Sequence, residues 1–145
     1  FWLGIMRIAE KSGLVQIISK VLYPVTKFLF KDVKKDSPAV GDIAMSVTAN
    51  ALGLTNAATP IGLKVMKELQ EENPNKEKAT DAMCMFLGMN TAGFQIIPAT
   101  VIAVLVGAGA SNPTDIILPT LIVTTLSFLT AITAAIILRK IWRED

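Results

Sequence analysis

Histidine is absent from the 145 residues, and cysteine occurs once, as Cys84. The first absence removes the commonest general base and metal ligand. The second excludes an intrachain disulfide. Basic residues are in slight excess, with a formal net charge of +2, too little to point to nucleic acid. Paired carboxylates, a glycine-rich phosphate loop, a metal-ligand cluster and a nucleophile–base pair are all missing. An enzyme is therefore not expected, and neither is a cofactor or a bound metal. What the chain has instead is apolar surface. It is 52% hydrophobic with a mean hydropathy of +0.52, which fits an all-α integral membrane protein.

The stretch that organises the chain is 46–62, which is small, weakly polar and uncharged, with charge clusters beyond both ends. Gly53 favours a chain reversal, and Thr59 before Pro60 reads as an N-cap with proline at the first helical position. The pattern predicts helices at about 38–51 and 60–72 joined by an extended tip at 52–59. Together they form a hairpin over 38–72. Backbone left unwound at membrane depth must be buried in protein or line a wet cavity. Asn50, Thr55, Asn56 and Thr59 are thus candidates for a polar site.

With no initiator methionine ahead of Phe1, residues 1–11 read as the end of a truncated transmembrane helix. The apolar residues Leu14, Ile17, Ile18, Val21, Leu22, Val25 and Leu29 recur at three- and four-residue steps, with Lys20 and Lys27 off the stripe. Region 12–36 is expected to be an interfacial amphipathic helix, kinked or split at Pro24, followed by a solvated turn. Ser37-Pro38 starts the hairpin. After a turn at 73–75, with Asn75 as the cap, a helix over 75–107 is too long for one crossing. Gly93 and Pro98 supply the break, with Asn90, Thr91 and Gln95 beside it. Residues 114–139 are the least ambiguous full span, with Pro119 in the tolerant first turn.

Charge predicts the topology. All 14 Lys and Arg lie in 1–78 or 139–145. A re-entrant hairpin at 38–72, an outward crossing by 75–107 and a return by 114–139 place every one of them on the cytoplasmic side of a plasma membrane. Asp42, a carboxylate inside the hairpin, reads either as functional or as reaching the interface. Cys84, in an apolar context, reads as packing.

Two polar interruptions at mid-membrane are the usual construction of transporter substrate sites. The candidate substrate-binding residues are Asn50, Thr55, Asn56, Thr59, Asn90, Thr91 and Gln95. Capping of broken helices is the alternative reading of each one taken singly.

The run Thr48-Ala-Asn50-x-x-Gly53-x-x-Asn56-Ala-Ala-Thr59-Pro60-x-Gly62-x-Lys64-x-Met66, with Asn90-Thr91 and Pro98-x-Thr100-x-Ile102-Ala103, resembles the spore maturation protein A family. That family belongs to the gate, or nucleoside-recognition, group, related to concentrative nucleoside transporters and to a segment of the ferrous iron transport protein B. The resemblance covers nearly the whole chain and places a gate domain at 37–145. It implies one repeat of a nucleoside-transporter-like core: interfacial helix, re-entrant hairpin, unwound helix and further span. It also implies a companion half resembling spore maturation protein B, and a role in spore core maturation and dehydration.

Two functions fit this pattern. One is half of a transporter-like core that handles a small polar solute, such as a nucleoside or an aromatic acid. The other is a non-transporting scaffold. In either case the unwound backbone, with nothing opposite it, predicts that the chain does not work alone. Membrane lipid and the companion half are the expected partners, with a homodimer when the chain is isolated. The hydroxyl- and alanine-rich face of 120–135 is suited to close helix packing.

Overall fold

The computed structural model describes residues 12–34 and 37–142, apart from the side chains at 14–16, 55–57 and 142. The expectation for 1–11 lies outside the described residues. The described residues form six helices: α1 (Leu14–Leu29), α2 (Pro38–Ala51), α3 (Thr55–Glu72), α4 (Asp81–Ala92), α5 (Ala99–Gly107) and α6 (Ile117–Trp142).

α1 continues through Pro24 without splitting. It packs on α2, and α2 packs on α3. Ser37 caps α2, its hydroxyl accepting from the Ala39 N–H at 3.2 Å, with Pro38 in the first turn. α2 buries Ala39, Ala44, Ser46, Ala49 and Ala51. Side chains this small let neighbouring helices approach closely.

The hairpin differs from expectation at its tip. α3 begins at Thr55, so Pro60 lies inside the helix and Thr59 is not its cap. Tertiary packing overrides the local signal: Ala58 is buried against Ala49 and Leu54, and the Ala58 N–H already donates to Leu54 O at 2.9 Å. Pro60 therefore costs α3 one backbone bond. Pro60→Ala is expected to raise the thermal midpoint, by up to about 3 kcal/mol of stability. A lowered midpoint in a melting experiment would show that the proline is needed for packing.

The next helix also starts later than Asn75. Both nearby asparagines are used in the turn: Asn73 Oδ1 accepts from Asn75 N–H at 3.0 Å, and Asn75 Oδ1 from Glu77 N–H at 3.1 Å. Thr80 caps α4 instead, accepting from Met83 N–H at 3.3 Å. Lys76 Nζ reaches back to the carbonyls of Gln70 and Glu71 in the last turn of α3.

The expected break is present. α4 ends at Ala92, Gly93 adopts a left-handed conformation with φ 57°, and α5 resumes after Pro98. α6 holds an apolar stretch, Ile117–Ile141, long enough to cross a membrane. One stripe of α6, including Phe128, Ile132 and Ala135, packs on the core around Phe86, Met85, Ile43 and Val65. Most of its remaining circumference is exposed, through Leu118, Ile122, Val123, Leu126 and Leu129.

One end of the bundle gathers the charged loops. Asp32 and Lys34, Glu72 and Asn73, and Thr80 and Asp81 line one small cavity. Arg139, at the end of α6, donates to Asp32 Oδ2 at 2.9 Å. An ion pair this exposed adds at most about 1 kcal/mol. Its value is positional, since it ties the end of α6 to the loop between α1 and α2. Asp42 pairs with Lys64 at 2.7 Å across the hairpin, and Lys64 lies 3.5 Å from Glu68.

Candidate functional site

The hairpin tip docks on the helix break. α2 ends at Ala51, whose carbonyl would be an orphan acceptor. It accepts instead from the unwound N–H groups of Ile96, at 2.8 Å, and Ile97, at 3.3 Å. Gly53 turns the chain with φ 69° and lies so close to the break that a Cβ there would stand 2.3 Å from Ile97 O. The Gln95 N–H donates to Thr124 Oγ1 on α6 at 3.2 Å, while the Thr124 hydroxyl donates to Thr120 O at 2.8 Å. The break is therefore opposed within the chain, which corrects the expectation that nothing faces it.

Beside this junction, two helices bring polar groups together and a third packs against them. Asn50 Nδ2, on α2, donates to Asn90 Oδ1, on α4, at 2.8 Å. Ser46 Oγ, one turn before Asn50, donates to the same oxygen at 3.3 Å. α3 contributes Gly62, where a Cβ would lie 3.5 Å from Asn90 Nδ2. The backbone of α3 at Gly62 thus passes within van der Waals reach of the amide. Asn50 and Asn90 are both half-buried. An amide has two N–H donors and a carbonyl acceptor. The bonds described engage one donor of Asn50 and the carbonyl of Asn90 in this amide pair. Such a pair suits an uncharged ligand with both donors and acceptors.

Of the residues singled out from sequence, Asn50 and Asn90 are thus brought into contact. Gln95 lies in the break, two residues after Gly93, held through its backbone. Thr91 faces away from the amide pair. It lines a groove of about 700 Å³ between α4 and α6 with Cys84, Gly88, Ala92, Ser127 and Ala131. Thr59 is exposed on α3. Thr55 and Asn56 lie in the first turn of α3, and their side chains are outside the description. Ser46 and Gly62 were not singled out as site residues. The four-residue spacing of Ser46 and Asn50, which puts both on one helix face, was the signal for Ser46.

A family model described as Gate, nucleoside recognition, matches residues 1–109. The chain is 44% identical over 132 residues to a Bacillus subtilis (strain 168) protein named spore maturation protein A. That alignment covers 91% of this chain and 67% of the relative. No solved structure matches the chain.

Proposed function

The chain belongs to the Gate, nucleoside-recognition, family, and we propose that it is a spore-maturation membrane protein forming one half of a transporter-like core that binds or moves a small polar solute. The observation that carries the proposal is the junction of hairpin tip and helix break, with the Asn50–Asn90 amide pair beside it at 2.8 Å. Broken helices that meet at their ends present oriented N–H and C=O groups, a construction transporters use for substrates. Uncharged amides match a ligand such as a nucleoside or an aromatic acid. In this reading Ser46, Asn50 and Asn90 contact the solute. The work is binding and translocation, not catalysis.

In this reading the hairpin is re-entrant in a multi-pass plasma-membrane protein, α1 lies along the interface, and the basic loops are cytoplasmic. The Asp32–Arg139 bond supports it, because it puts the loop between α1 and α2 level with the end of the apolar helix. Cysteine labelling in a Cys84→Ala background tests this topology. Lys34→Cys and Asn75→Cys are expected to react from the cytoplasmic side and Asn112→Cys from the other. Reaction of Lys34→Cys and Asn75→Cys from opposite sides would sink the hairpin.

The partner is a companion half resembling spore maturation protein B, with a homodimer when the chain is isolated. The surface that supports this is the groove between α4 and α6, open and lined by Gly88, Ala92, Ser127 and Ala131. Small residues of this kind favour close packing of membrane helices. A crosslinker placed through Ser127→Cys is expected to capture the companion when both are co-expressed. Crosslinks only to lipid-facing bystanders would exclude the groove.

A scaffold without transport is the second reading. It is favoured by one observation: the backbone groups of Ala51, Ile96 and Ile97 satisfy one another within the chain. Uptake into proteoliposomes carrying both halves separates the two readings. Flux of a nucleoside or aromatic acid above empty vesicles is expected, and its absence across both solute classes with intact assembly favours the scaffold.

A further inference from the structure

α1 divides into three sectors. Ser19 and Thr26 are buried, and Tyr23 and Leu29 pack against the core. On another side Ile17, Val21, Val25 and Phe28 form a line in which each residue is more than half exposed. These positions recur every three or four residues, so they share one helix face. Along the edge of that face stand Lys20 and Lys27, both exposed and two turns apart, with Lys31 just beyond the helix. Lys31 Nζ lies 4.2 Å from the centre of the Phe28 ring, and Lys27 Nζ lies 5.9 Å from that of Tyr23. The Phe28 face holds the Lys31 ammonium at the end of the apolar line, and Tyr23 holds that of Lys27 on its basic edge. No Asp or Glu occurs anywhere from Ser12 to Lys31.

We propose that α1 is a docking surface for acidic phospholipid: acyl chains cover the Ile17–Val21–Val25–Phe28 line, and anionic headgroups sit against Lys20, Lys27 and Lys31. The inference rests on the membrane reading above but not on any solute. Two observations choose lipid over a protein partner. The first is charge complementarity, since a one-sign basic edge running beside an apolar face matches the two chemical layers of an acidic leaflet. The second is level. Arg139 lies near the end of the apolar stretch of α6 and is bonded to Asp32, three residues past the end of α1. That places the C-terminal end of α1 at the membrane surface.

The lysine spacing then sets the attitude of the helix. Standing upright in the bilayer, α1 would hold Lys20 roughly 10 Å from the level of Lys27, and the deeper ammonium would be in hydrocarbon, where charge is costly. Lying along the surface, it keeps both at headgroup level. The Asp32 carboxylate, the nearest acidic group in the loop, is engaged by Arg139 and does not cancel the basic edge.

The test uses the full chain, delipidated in neutral detergent and titrated with phosphatidylglycerol or phosphatidylcholine. Bound lipid is read by native mass spectrometry. Phosphatidylglycerol is expected to bind more tightly than phosphatidylcholine, and the preference to shrink at high salt. Each Lys→Gln change among Lys20, Lys27 and Lys31 is expected to weaken phosphatidylglycerol about fivefold. Lys76→Gln and Lys78→Gln, in the loop before α4, should leave it unchanged. A second measurement places a nitroxide through Val25→Cys, in a Cys84→Ala background, in acidic vesicles. Relaxation by oxygen in preference to a water-soluble reagent is expected. Equal binding of the two lipids overturns the proposal, as does loss through the Lys76 and Lys78 changes instead. A Val25 label exposed to water, or shielded from both reagents as under a protein partner, overturns it too. A failure of solute uptake would leave all these readouts in place, so the two proposals fail separately.

Discussion

Gly53→Ala is expected to lower the thermal midpoint of the detergent-solubilised protein by roughly 10 °C. Two costs add. The left-handed backbone at φ 69° penalises a Cβ by about 1–2 kcal/mol. The same Cβ would also stand 2.3 Å from Ile97 O and 2.9 Å from Ala99 N, both backbone atoms that cannot rotate aside. The tip must then lift from the break, and the Ala51 carbonyl loses the Ile96 and Ile97 N–H groups it now accepts from. A combined loss of roughly 3–5 kcal/mol belongs to the exceptional class that backbone strain produces. Gly41→Ala is the matched control. It is also in the hairpin, nothing lies within 4 Å of its added Cβ, and a helical alanine should stabilise by about 0.5–1 kcal/mol. Equal midpoints for the two variants would show that the tip does not dock as described.

The same glycine shows what could be read from the sequence and what could not. Gly53 announced the reversal, and Gly93 with Pro98 announced the break, because each acts through its own backbone. The contact between them was not legible. Nothing in the local sequence says that the Ala51 carbonyl faces Ile96 and Ile97, which lie forty-odd residues further on. Thr59-Pro60 misled for a related reason. It has the composition of a helix start, yet the burial of Ala58 against Ala49 extends α3 back to Thr55. Asn75 looked like a cap, but its side chain serves the turn and Thr80 takes the role. Polarity likewise marked Asn50, Asn90 and Thr91 alike, since composition does not reveal which side of α4 faces the hairpin. Only packing separates Asn90, bonded to Asn50, from Thr91 in the outer groove.

Asn90→Ala is expected to reduce solute binding by roughly 30- to 150-fold while leaving a folded protein, and the contrast between those two effects is what identifies a site. Removing the amide leaves Asn50 Nδ2 and Ser46 Oγ without the acceptor they share. In water-soluble cores an orphaned donor costs about 1–3 kcal/mol. Between membrane helices the measured worth of such bonds averages only about 0.6 kcal/mol, because the freed groups find other partners. The stability cost should therefore stay near 1 kcal/mol, a shift of only a few degrees in the midpoint. A solute whose acceptor or donor meets the Asn90 amide would lose about 2–3 kcal/mol of affinity, since its own desolvated group is then unpaired. Thr91→Ala, one residue away but in the outer groove, should spare binding. The Asn50→Ala/Asn90→Ala double variant should bind hardly worse than either single one, because the pair acts as a unit. Binding is read by titration calorimetry on the assembled pair of halves, and stability by thermal melting of the same samples. If Asn90→Ala costs several kcal/mol of stability and leaves solute affinity intact, the amide pair is a helix lock and the scaffold reading stands.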